Sequence, residues 1–76
     1  MQKKLIAESN WDYRLEADEN DNLFLEVVCG TVAIYTITFQ LNEVEKQDWL
    51  EKEETALRHL SYNVRDYPER YMQRRV

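Results

Sequence analysis

Along residues 11–17 apolar and polar positions alternate, Trp11, Tyr13, Leu15 and Ala17 against Asp12, Arg14 and Glu16. This is the period-2 signature of a strand with one buried face. Residues 18–22 contain no apolar side chain and read as a turn. Leu23–Cys29 (LFLEVVC) and Thr31–Gln40 (TVAIYTITFQ) follow as second and third strands, dense in β-branched and aromatic residues and divided by Gly30, the only glycine. A two-residue loop at Cys29–Gly30 would set Leu25 opposite Ile34 and Val27 opposite Val32. A three-residue loop or a bulge shifts the parity, so that Leu23, Leu25 and Val27 share a face with Ala33, Tyr35, Ile37 and Phe39. Both registers fit the pattern, and both leave apolar residues such as Phe24 and Val28 on the second face.

The period then changes. Asn42 followed by Glu45 is a capping-box pattern, and beyond it Trp49, Leu50, Ala56, Leu57, Leu60 and Val64 fall on one stripe at helical spacing. Asp48, Glu51, Thr55, Arg58 and Tyr62 lie opposite. Glu53 interrupts the apolar stripe between Trp49 and Leu57, so as a buried carboxylate it would need a partner, such as a Tyr hydroxyl, Arg14 or Lys46, or a place at an interface. Asp66 and Glu69 repeat the cap spacing, with Pro68 in the first turn of a short helix at about 67–75. The expected architecture is one α+β domain over residues 1–76. It consists of a three-stranded antiparallel sheet, one long helix packed on one face, then a short terminal helix, in the order β-β-β-α-α.

Composition narrows what such a domain can do. With 76 residues, 43% of them hydrophobic and 33% charged, there is room for one small core and none for a large substrate cavity. Cys29 is the only cysteine, which excludes an internal disulfide and points to a reducing cytoplasm. Lys3 and Lys4 precede only Leu5, Ile6 and Ala7 before polar residues resume, which is not a secretory leader, and no segment approaches the roughly 20 apolar residues of a membrane span.

Catalytic chemistry has little to work with. Cys29 and His59 are the only cysteine and histidine. A lone Cys at a strand end fits a small buried hydrophobe, and a lone His on a polar helix face fits solvent. One of each cannot build a structural zinc site. Asp18, Asn20 and Asn22 hold the first, third and fifth positions of a calcium loop, but Leu23 stands where glycine is needed and Cys29 where a bidentate glutamate is needed. No glycine-rich phosphate loop exists. The expectation is a protein that is not an enzyme and takes no cofactor or metal.

Charge is unevenly spread around the net −5. Residues 1–42 hold seven acids against three bases, residues 43–57 six against two, and residues 58–76 two acids against five arginines. Arg65, Arg70, Arg74 and Arg75, interleaved with Tyr67 and Tyr71, have the makings of a contact to single-stranded nucleic acid, but the acidic body argues against it. The stretch Cys29–Lys46 (CGTVAIYTITFQLNEVEK), a glycine-centred hairpin, an aromatic-rich strand and an acidic helix start, resembles small immunity proteins of bacterial toxin systems. The resemblance implies a protein that neutralises a toxin by binding it, commonly through an acidic surface when the toxin is a nuclease; no functional residue carries over from it. The residues themselves also point to a protein-binding module for a basic partner, with Asp48, Glu51 and Glu54 on the helix, Asp18, Glu19 and Asp21 at the first hairpin turn, and Phe24 and Val28 on the second sheet face as contact residues. The alternative is a homodimeric structural or regulatory module that uses the apolar residues of that face.

Overall fold

A computed structural model describes residues 3–30 and 33–76. The chain is α+β, as the pattern predicts, but the sheet has four strands. β1 (Lys4–Ser9), β2 (Tyr13–Ala17), β3 (Leu23–Cys29) and β4 (Tyr35–Gln40) form an antiparallel meander in that order. β1 was hidden because its periodicity is broken. Leu5 pairs with Glu16 and Ala7 with Leu15, leaving Ile6 as an extra residue at an irregularity. On either side of it Leu5 and Glu8 share the outer face with Glu16 and Arg14, while Ala7 and Ser9 join the inner face with Leu15 and Tyr13.

The β3–β4 register decides the parity question. Cys29 pairs with Tyr35, Val27 with Ile37 and Leu25 with Phe39, so odd-numbered residues of both strands share the inner face. The connection is longer than either expected loop; Thr31 and Val32, where the strand was expected to begin, lie outside the described residues. Gly30 starts that connection at φ +96, and a Cβ there would stand 2.1 Å from the Ala33 carbonyl oxygen, so only glycine fits.

The single long helix is not formed. α1 (Glu43–Lys52) and α2 (Glu54–Asp66) are separated at Glu53, which takes φ 53, ψ −125. That conformation costs an L residue roughly 1–3 kcal/mol and nothing local demands it, since residues 47–56 contain neither glycine nor proline. The cause is tertiary. α1 starts on the capping box, Asn42 Oδ1 accepting the Glu45 N–H and Glu45 Oε1 accepting the Asn42 N–H, both at 2.9 Å. Its first turns are tied to the body through Lys46 and Glu45, whereas α2 is fixed by burial of Leu57, Ser61 and Val64, and one straight rod does not meet both demands. The bend explains why Leu50 is exposed rather than on the stripe, and why Glu53 is exposed and needs no buried partner.

α3 is shorter than expected, Pro68–Met72, and α2 runs through Asp66, which therefore does not cap α3. Pro68 occupies the first turn as its missing N–H allows. All three helices lie on the inner face. The core is Tyr13, Leu15, Leu23, Leu25, Val27, Cys29, Ile37, Phe39 and Leu41 from the sheet side, closed by Leu57 and Val64, with Trp49, Leu60 and Tyr71 packed at its margin. After α3 the chain returns to the sheet. Arg75 bridges Phe39, and the Val76 N–H donates to the Thr38 carbonyl at 3.0 Å, covering that end of the free side of β4. Among the described residues no strand lies beside the outer edge of β1.

Candidate functional site

Two arginines from the basic end of the sequence turn inward. Arg65 Nε donates to the Val28 carbonyl at 2.9 Å, and its Nη2 donates to the Asp12 carbonyl at 2.9 Å and pairs with the Asp12 carboxylate. These carbonyls lie where the β2–β3 ladder runs out, so one guanidinium from α2 satisfies the sheet end. Arg74 closes the other side of the molecule, its Nη1 and Nη2 donating to Glu45 at 2.9 and 2.6 Å, while its plane lies 4.8 Å from the Phe39 ring centroid. Glu45 is thus shared between the α1 cap and this ion pair, which holds the Arg74 guanidinium above its ordinary pKa.

The Arg65 clamp has a consequence at the β1–β2 turn. Ser9 O accepts the Asp12 N–H at 3.0 Å, and Trp11 occupies the third turn position with φ 62, a place that favours glycine or asparagine. Trp11 was expected on the buried face of a strand; it instead stands 81% exposed on a turn whose far side is gripped by Arg65. Sequence pattern could not separate it from Tyr13, because alternation continues through it.

The expected contact residues fall into two groups. Asp18, Glu19 and Asp21 form the β2–β3 turn, where the Asp18 carboxylate accepts the Asn20 and Asn22 N–H groups at 2.9 Å and the Asn22 amide at 3.1 Å. The hydrogen bonds from Asn22, chiefly its side-chain amide, hold Asp18 below its ordinary pKa. The Lys46 ammonium donates to the Asp21 carbonyl at 3.2 Å and brings this turn against the start of α1, so the turn acids and Glu43 share one corner. Asp48 and Glu51 continue along α1. Glu54 does not extend their row, because the bend at Glu53 intervenes and its charge acts instead on the Tyr13 hydroxyl, whose pKa is raised by burial first and by Glu54 and Asp12 next.

Phe24 and Val28 lie on the opposite, outer face, both half-buried. That face is less apolar than expected. Lys3 sits 4.2 Å over the Phe24 ring, Glu16 and Gln40 flank Phe24 in register, and Glu8, Arg14, Glu26 and Thr38 form the next row. Arg14 is held charged by its hydrogen bond to Glu8, with Glu26 and Glu16 adding to the effect. The row of glutamates around one arginine was not anticipated, although alternation in β2 and β3 places Glu16 and Glu26 together once the strands pair.

A cleft of about 190 Å³ opens between α1 and α2, with Asp48 and Lys52 on one wall, His59 and Asn63 on the other, and Leu57, Leu60 and Tyr71 beneath. His59 is in this cleft, while Cys29 is buried at the end of β3, where burial raises its thiol pKa and Arg65 only partly offsets it, the reverse of what a nucleophile needs. Among the described residues no group of three or more His, Cys, Asp or Glu is placed to hold a metal ion, and no helix is long and apolar enough to cross a membrane. Compared with known protein families, curated proteins and solved structures, the chain matches none.

Proposed function

We propose that this chain is a protein-binding module for a basic partner, of the kind an immunity protein provides against a toxin. The observation that carries this is Trp11. A large aromatic side chain, 81% exposed on a left-handed turn and braced by the Arg65–Asp12 clamp, resembles the preorganised anchor that dominates binding at protein interfaces. The charge of the partner follows from surfaces elsewhere on the molecule, since Trp11 precedes the start of β2 and the β2–β3 turn stands at its other end. Arg74 neutralises Glu45 and Arg65 neutralises Asp12, which leaves Glu43, Asp48 and Glu51 of α1, the acids of the β2–β3 turn and the glutamates of the outer sheet face to set the sign of the surface field. A homodimer on the outer face has less support, because Phe24 is capped by Lys3 and bordered by glutamates.

The test is capture of the partner from the native host followed by binding kinetics. Trp11→Ala leaves the fold intact and costs about 2 kcal/mol or more in affinity, chiefly through faster dissociation. Raising salt from low to several hundred millimolar slows association by roughly tenfold, and Asp48→Lys with Glu51→Lys slows it further. A partner whose affinity ignores Trp11 and whose association ignores both salt and the charge reversals would refute the proposal.

A further inference from the structure

The cleft between α1 and α2 sets an apolar floor beneath polar walls. Leu57, Leu60 and Tyr71 line its bottom, with Asp48 on the α1 wall and Asn63 on the α2 wall. Leu57 is buried and Leu60 and Tyr71 are half-buried, whereas Asp48 and Asn63 are exposed, so the polar groups stand at the mouth. The volume of about 190 Å³ suits one long side chain, given that a cavity of about 150 Å³ takes a benzene-sized group. The surroundings are negative, since residues 43–57 carry six acids against Lys46 and Lys52. Glu45, at the edge of the cleft, is taken by Arg74. Among the described residues Asp48 forms no ion pair, which leaves its carboxylate to meet a cation.

We infer that this cleft receives one arginine side chain of the basic partner, an inference that rests on the binding role proposed above. The methylene stem lies on Leu57, Leu60 and the Tyr71 ring, where it sheds water, and the guanidinium stays at the mouth against Asp48. Its planar fork carries five donors, enough to meet the Asp48 carboxylate on one wall and the Asn63 amide oxygen on the other; an ammonium is a point charge without that reach. Lys52 and, when protonated, His59 are the opposing charges on the lining. Lys52 stands exposed on the last turn of α1, where its flexible stem lets the ammonium turn into solvent. An acidic ligand fits worse, because it meets Asp48 at the mouth and the excess carboxylates of residues 43–57 around it. One partner covering α2 reaches both this cleft and Trp11, since α2 carries His59 and Asn63 on one flank and Arg65, behind the Trp11 turn, on the other.

Binding of N-acetyl-arginine methylamide to the full chain, followed by NMR shifts, tests this without the partner. The expected Kd is on the order of 1–10 mM, with shifts at Leu57, Leu60 and Asn63. The citrulline analogue keeps the shape and loses the charge, and it binds at least about fivefold more weakly. Asp48→Asn abolishes that difference, Glu51→Gln on the same helix preserves it, and Lys52→Gln tightens the arginine compound roughly twofold. If the two compounds bind alike to the parent, if neither binds at about 50 mM, or if the shifts fall outside the cleft, the cleft does not take a guanidinium. With the partner in hand, Asp48→Asn speeds its dissociation at least about fivefold and Glu51→Gln leaves it unchanged. A partner whose association stays salt-dependent while its dissociation ignores Asp48→Asn overturns the arginine assignment and leaves the binding role standing.

Discussion

Arg65 shows how much one side chain can decide. It donates to the Val28 carbonyl, adds a second donor to the Asp12 carbonyl that also accepts the Val28 N–H, and pairs with the Asp12 carboxylate, and it is only partly exposed, so its loss takes the donor from the Val28 carbonyl besides breaking an ion pair. Arg65→Met is expected to lower stability by about 2–3 kcal/mol in denaturant unfolding, and Arg65→Lys to recover little, because an ammonium cannot reproduce the forked contacts. The exposed Arg14–Glu8 pair makes the contrast: at 47% and 37% side-chain exposure, its removal should leave the urea midpoint essentially where it was. In the sequence Arg65 stands only as one of the cations of the basic end, and Arg14 only as a candidate partner for Glu53. The structural role of Arg65 depends on partners 37 and 53 positions away, which no local pattern contains.

At the scale of elements, strands with one wet face were legible and those without were not. β2 shows clean alternation, β3 is dense in β-branched and aromatic residues, both lie close to their expected positions, and the Asn42 cap forms as its spacing requires. β1 was missed because an extra residue resets its period, and the helix bend was missed because tertiary ties override good local propensity at Glu53. The candidate site was legible in part. The acids of α1 and the turn were visible, but Trp11 was read as core, and the glutamates of the outer face emerge only when β2 and β3 pair in register. The bend also separates two residues that periodicity makes equivalent. Leu57→Ala should cost about 3 kcal/mol, since Leu57 is 1% exposed between sheet and helix, while truncation of the half-buried Trp49 should cost clearly less. Equal losses in matched urea titrations would place α1 in the core and contradict its tethered character.

For the whole molecule, the shifted groups set a pH boundary on the alkaline side. Burial raises the pKa of Cys29 above its ordinary 9.0 and those of Tyr13 and Tyr71 above 10.0. Below these ordinary values the protonated forms prevail in both states and the full stability is present. As pH rises past them the unfolded chain releases protons that the folded chain retains, so the unfolded state gains and stability falls until the folded groups also ionise. The urea midpoint should therefore decline from about pH 9 upward, and Cys29→Ala should remove the earliest part of that decline.

The return of the chain to β4 determines how many ways this sheet can propagate. With Arg75 and Val76 lying beside Phe39 and Thr38, that end of β4 is closed to an added strand, so among the described residues β1 is the more open edge, and pairing between copies through β1 ends at a closed pair. Val76→Pro deletes the N–H that reaches Thr38, and a separate variant lacking residues 75–76 opens this end of β4 as well, which gives the sheet a second full edge and permits head-to-tail addition without closure. The altered chains should form thioflavin-positive fibres under conditions where the parent stops at small, finite species, and a parent that polymerises equally fast would show that these two residues are no guard.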